Sequence, residues 1–128
     1  MQRLRVAEIV GYGLSIILAM IGTWLMLAPA GPEMPPPFPH FDKVAHFVVF
    51  FLIALPAVAV RPRAWAGIVL SASALGGAIE LIQPFVGRER EFADFVADVL
   101  GALAAVPVGH ALARGLSKLR QAGEGKRA

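Results

Sequence analysis

Residues 80–101 read Glu80-Leu-Ile-Gln-Pro-Phe-Val-Gly-Arg-Glu-Arg-Glu-Phe-Ala-Asp-Phe-Val-Ala-Asp-Val-Leu-Gly101. Glu80, Glu89, Glu91, Asp94 and Asp98 lie here, five of the nine acidic residues in the chain, together with Arg88 and Arg90. Long apolar runs stand on both sides of the stretch. A charge at the centre of a membrane helix costs about 2.5–3.5 kcal/mol. Charges kept between such runs therefore need a partner, a wet cavity or a chemical role. The other helices read as the frame that holds this stretch at one membrane face.

The bulk numbers agree. The chain has 128 residues, of which 57% are hydrophobic and 16% charged, and its mean hydropathy is +0.67. Soluble domains carry about 25% charged residues. The class expected is a single-domain, all-α integral membrane protein. The net charge is +3 and the pI about 10.0. Its basic residues flank apolar spans rather than forming one patch, so no nucleic-acid partner is expected. There is no cysteine, which rules out a disulfide or thiolate site.

Taken in order, the chain predicts four transmembrane helices, at about 7–28, 43–60, 64–83 and 92–113, and a basic tail at 114–128. Ile9 to Ala28 carries no charge, and twenty residues at 1.5 Å each span about 30 Å, a bilayer core. The apolar segment of a signal peptide has only about 7–15 residues, so this run reads as a membrane anchor. Residues 29–39 hold six prolines and predict a stiff, extended spacer. Asp42 stands where it could cap the second helix. Pro56 lies inside that helix, Pro84 stops the third, and Pro107 lies inside the fourth. Small residues recur at helical spacing, as Gly67/Ser71, Ala72/Gly76 and Ser73/Gly77. They form a longer ridge from Ala97 through Gly101, Ala105 and Gly109 to Ala113. Such ridges let helix backbones approach closely.

Four spans put both termini on one side. That side carries nine basic residues against Glu8 and Glu124, a charge of +7. The other carries Lys43, Arg88 and Arg90 against seven acids, a charge of −4. The positive-inside rule predicts cytoplasmic termini, with Lys118, Arg120, Lys126 and Arg127 against anionic head groups. Except for His110, the ionisable residues of the last three spans then gather at the outer face. By helical rise Asp98 lies about 9 Å deep, and Glu80 and His46 about 6 Å.

Spacing places Asp42 with His46, Glu80 with Gln83, Glu91 with Asp94, and Asp94 with Asp98, each pair on one helix face. Lipid exposure of these faces is costly, so the three polar faces are expected to converge. Two readings of the set stand side by side. One is an ion-pair network that pins helix ends. The other is a site, in which Glu80 or Asp94 acts as general base, His46 carries a proton, and Arg88 clamps an anionic group. Asp42, Lys43, Gln83, Glu91 and Asp98 complete the ligand-binding set. His46 is expected to bond Asp42 or Glu80, and Arg88 to pair with Asp94 or Glu80. His40, Asp42 and His46 form a metal set only through the proline-rich loop, so no metal and no cofactor are expected.

Asp-Lys-x-x-His-Phe at 42–47, Glu-x-x-Gln at 80–83 and Gly-Arg-x-x-Glu-x-x-Asp-x-x-x-Asp-x-x-Gly at 87–101 together resemble the VanZ-like membrane proteins. The resemblance covers roughly residues 42–101 and falls on Asp42, Lys43, His46, Glu80, Gln83, Arg88, Asp94 and Gly101. It implies asparagine at position 98, where this chain has Asp98. It also implies a small multi-pass protein of the bacterial cell envelope, linked to resistance to glycopeptides such as teicoplanin. The function expected is binding of, or protection against, an envelope ligand such as a lipid-linked glycan or a lipoglycopeptide. The alternatives are an enzyme acting on a lipid-linked substrate and a structural subunit of an envelope assembly. The bilayer is the expected partner, and the oligomeric state is open.

Overall fold

The computed structural model describes residues 2–29 and 35–125. The middle of the proline-rich spacer, with Glu33, and the basic end with Lys126 and Arg127 lie outside the described residues. Four helices follow one another: α1 (Gln2–Leu27), α2 (Phe41–Val60), α3 (Trp65–Ile82) and α4 (Phe92–Gly125). There is no strand among the described residues. Each helix is long and apolar enough to cross a membrane. The surface is apolar as well: Ile9 is 70% exposed and Leu70 71%. In water such side chains would drive aggregation, whereas in a bilayer they face a solvent of their own kind. The chain is thus a multi-pass membrane protein of four antiparallel helices, with both termini at one end.

The helix ends follow local chemistry. His40 precedes α2 in the left-handed region, at φ 60°, and its carbonyl accepts the Val44 N–H. Asp42 does not cap this helix. It lies in the first turn, where a negative charge suits the helix dipole, and its carboxylate takes Lys43 instead. α3 passes at Gln83 into a 3₁₀ turn over Gln83–Val86 that holds Pro84. Gly87, at φ 77°, reverses the chain, and Arg88 N–H returns to the Gln83 carbonyl at 3.0 Å. Pro56 lies within α2 and weakens the local backbone ladder. There the Ala57 N–H donates to Ser15 Oγ of α1 at 3.2 Å, so a neighbouring helix supplies a partner.

α2 and α4 form the most extensive contact of the bundle, with α1 laid on α2 and α3 on α4. The ridge on α4 explains the closeness. A methyl added at Gly101 would run into the Phe47 backbone, and one at Gly109 into Val58. Ala105 is fully buried between them in sequence. The core joins Phe50, Ile53 and Ala54 of α2 to Ala72 and Ile79 of α3 and Ala102 of α4. On α3 the expected Gly67/Ser71 pair makes no close approach, since nothing lies within 4 Å of a methyl built at Gly67. The pair lines a cleft instead. α1 and α3 meet only sparsely, and two open apolar clefts lie there: one of about 670 Å³ lined by α1, the residues after it and Leu75 of α3, and one of about 480 Å³ lined by α1, α2 and α3. α4 does not end near Ala113. It stays helical through the polar residues to Gly125.

Candidate functional site

At the end opposite the termini, the start of α2, the end of α3 and the start of α4 converge. His46, Glu80, Gln83, Asp94 and Asp98 are all buried there, with Asp98 at 0% exposure. The geometry has two layers. In the outer one, Lys43 Nζ lies 2.8 Å from Asp42 Oδ2, 2.6 Å from Glu91 Oε2 and 3.2 Å from Asp94 Oδ1. One ammonium thus serves three carboxylates, Asp42 on α2, Glu91 just before α4 and Asp94 within it. Lys43 and His46 stand three apart on α2, so both side chains look towards α4.

In the inner layer, His46 Nδ1 is 2.8 Å from Asp98 Oδ1, and its Nε2 is 3.8 Å from Asp94 Oδ2. With the proton on Nδ1, the imidazole donates to Asp98 and turns its free nitrogen towards Asp94. Glu80 reaches across from α3, and its Oε2 accepts the Glu91 N–H at 3.0 Å. Glu91 immediately precedes α4, so Glu80 satisfies a free donor at that helix start. Four buried oxygens, Glu80 Oε1, Gln83 Oε1, Asp94 Oδ1 and Asp98 Oδ2, have no hydrogen-bond partner among the described residues, although Lys43 Nζ stands 3.2 Å from Asp94 Oδ1 as an ion pair. A ligating atom from each of His46, Glu80 and Asp98 falls within 4.8 Å of the other two.

The convergence includes most of the residues singled out in the sequence, but the partners differ from the expected ones. His46 bonds Asp98, not Asp42 or Glu80. Arg88 contacts no carboxylate among the described residues; its Nη1 donates to the carbonyls of Leu25 at 3.4 Å and Ala28 at 3.3 Å. Gln83 likewise turns to α1, with its Nε2 3.5 Å from the Met26 carbonyl. Both therefore tie α1 to the end of α3. The reason is directional: the Gly87 turn carries Arg88 to the α1 side of the bundle, whereas α4 presents its acids to α2. The central cation is Lys43, and its signal in the sequence is its place one turn before His46 on the same face. Gly76 was not singled out for this site. A methyl added there would sit 2.5 Å from Asp98 Oδ2, so its missing side chain makes room for that carboxylate. The pairing of Gly76 with Ala72 at helical spacing and its place four residues before Glu80 are the traces of this in the sequence.

No family model, curated protein or solved structure matches this chain. Chemically, the site can move a proton through His46, hold a cation among the inner carboxylates, and present Arg88 to an anion beside α1.

Proposed function

We propose that this is a VanZ-like envelope membrane protein that holds a lipid-linked anionic ligand at the outer leaflet. One observation carries the reading: Ala28, whose carbonyl accepts from Arg88, also lines the apolar cleft between α1 and α3. A cleft lined by Ile16, Ala19, Met20, Trp24 and Leu27 suits an acyl or prenyl chain. Arg88 at its mouth has donors left over and no carboxylate within 4 Å among the described residues, and a guanidinium suits a phosphate or carboxylate head. The charge split of +7 against −4 supports an outer-leaflet mouth and cytoplasmic termini.

Native mass spectrometry of the detergent-purified chain with a prenyl-phosphate-linked glycan tests this. The wild type is expected to retain the lipid. Arg88→Ala removes the head-group clamp, and Ala19→Phe fills the cleft; each is expected to lose most of the bound lipid. Undiminished retention in both variants would overturn the reading. A cell assay of protection against a lipoglycopeptide should follow the same order.

The bond from His46 to Asp98 favours a second reading, an enzyme on the same lipid class. There Asp98 orients the imidazole, and Nε2 moves a proton to or from the bound head group. No serine or cysteine belongs to the cluster. Turnover of the retained lipid by the wild type, lost in His46→Gln while retention persists, would establish it.

A further inference from the structure

Lys43 lies against all three outer acids, but no lysine or arginine lies within 4 Å of Glu80 or Asp98 among the described residues. Glu80 is 5% exposed and Asp98 not at all. Two carboxylates buried so deeply stay ionised only with a counter-charge. His46 lies between the helices that carry them, and each of the two acids has one oxygen with no partner. The three residues come from three different helices, and a ligating atom of each lies within 4.8 Å of the others. Two atoms bound to one ion at about 2.1 Å stand about 3.4 Å apart at a tetrahedral angle. Closing the set on an ion therefore asks for shifts of about an ångström, within the reach of side-chain rotation.

We propose that His46, Glu80 and Asp98 form a binding site for a divalent transition-metal cation, of the Mn²⁺ or Zn²⁺ type. The donor set selects the class. An imidazole nitrogen favours such ions over Mg²⁺ and Ca²⁺, which prefer all-oxygen shells. The 2+ charge matches the two carboxylates that lack a lysine or arginine. Asp94, 3.8 Å from His46 Nε2, is placed to orient the ring or to add a further oxygen. Gly76, by lacking a side chain, leaves the Asp98 carboxylate room to pack against α3. The second acidic group of the site, Asp42, Glu91 and Asp94, carries no such inference, because Lys43 already fills it. The cation site does not rest on the lipid reading, and its test contains no lipid ligand.

The experiment uses the full chain in detergent, stripped with a chelator, then loaded with Mn²⁺ or Zn²⁺, desalted and analysed for metal. The expected result is one bound ion per chain and a thermal midpoint raised by the ion. Glu80→Gln and Asp98→Asn are each expected to weaken binding by about tenfold or more, while Glu89→Gln, on the exposed turn, leaves it unchanged. Uptake that survives both site variants, or no uptake at millimolar ion, would overturn the proposal. Pulsed EPR of the Mn²⁺-loaded wild type gives a reading that needs no substitution. An imidazole nitrogen coupled to the ion supports the site, and its absence with Mn²⁺ bound refutes it.

Discussion

Asp98 and Arg88 show how far a side chain's partners can differ from its sequence neighbours. Asp98 is fully enclosed, bonded on one oxygen and unpartnered on the other. Asparagine keeps the oxygen that accepts from His46 and places an amide where the bare oxygen stands. In the chelator-treated protein, Asp98→Asn is expected to change stability by no more than about 1 kcal/mol, read as a shift in detergent melting temperature. A large loss of folded protein would mean that the charge itself holds the bundle. At Arg88 the absence of a carboxylate partner among the described residues changes the expected cost. Arg88→Ala gives up two long hydrogen bonds to the Leu25 and Ala28 carbonyls and strands none of the described acids, so about 1 kcal/mol is expected. Lys43→Ala leaves the buried Asp94 without its ammonium, and about 1–3 kcal/mol is expected. Melting curves of the two variants side by side check this order; a reversed order would give Arg88 the structural role. That these polar residues gather was legible from depth and spacing. Which ones bond was not, because spacing along a helix gives a face and not the direction of a turn such as that at Gly87.

Among the elements, α4 was the most legible and also the most misjudged. Its four-residue ridge announced close packing, and Gly101 and Gly109 do meet α2. Gly101→Ala drives a methyl into the Phe47 backbone, which cannot rotate aside. It is expected to cost about 1–3 kcal/mol or more. Gly13→Ala on α1 meets nothing within 4 Å and is expected to be neutral or to stabilise by up to about 1 kcal/mol. Paired melting measurements separate a true packing contact from mere helix propensity. Equal effects at both positions would remove Gly101 from the α2 interface. The Gly67/Ser71 pair has the same spacing and packs against nothing, because periodicity identifies a face without saying what faces it. The end of α4 was misplaced for a related reason. Hydropathy falls after Ala113, but a fall in hydropathy does not by itself end a helix. Leu112, Leu116 and Leu119 continue at helical spacing among good helix formers.

For the molecule as a whole, the number of spans and their alternation followed from apolar length alone, whereas the cleft between α1 and α3 did not. A cleft depends on which helices fail to touch, and sequence periodicity does not report that. Membrane sidedness is open to a direct test, since the chain has no cysteine of its own. Phe85 is 88% exposed at the polar end, and Ser117 is exposed in the later turns of α4, past the fall in hydropathy at Ala113. Phe85→Cys is expected to react with a membrane-impermeant maleimide on intact spheroplasts, and Ser117→Cys only after the membrane is opened. The reverse pattern would place the polar cluster in the cytosol.

The unbroken length of α4 adds a dimension to that test. Its 34 residues extend about 51 Å at helical rise, against a hydrocarbon layer of about 30 Å. About 20 Å of rod therefore lies outside the hydrocarbon layer at the terminal end. Labels moved residue by residue from Ser117 back towards Leu112 would turn α4 into a depth gauge. The position where reactivity stops marks the membrane boundary, and the helical rise from there to Asp98 gives the depth of the buried carboxylates.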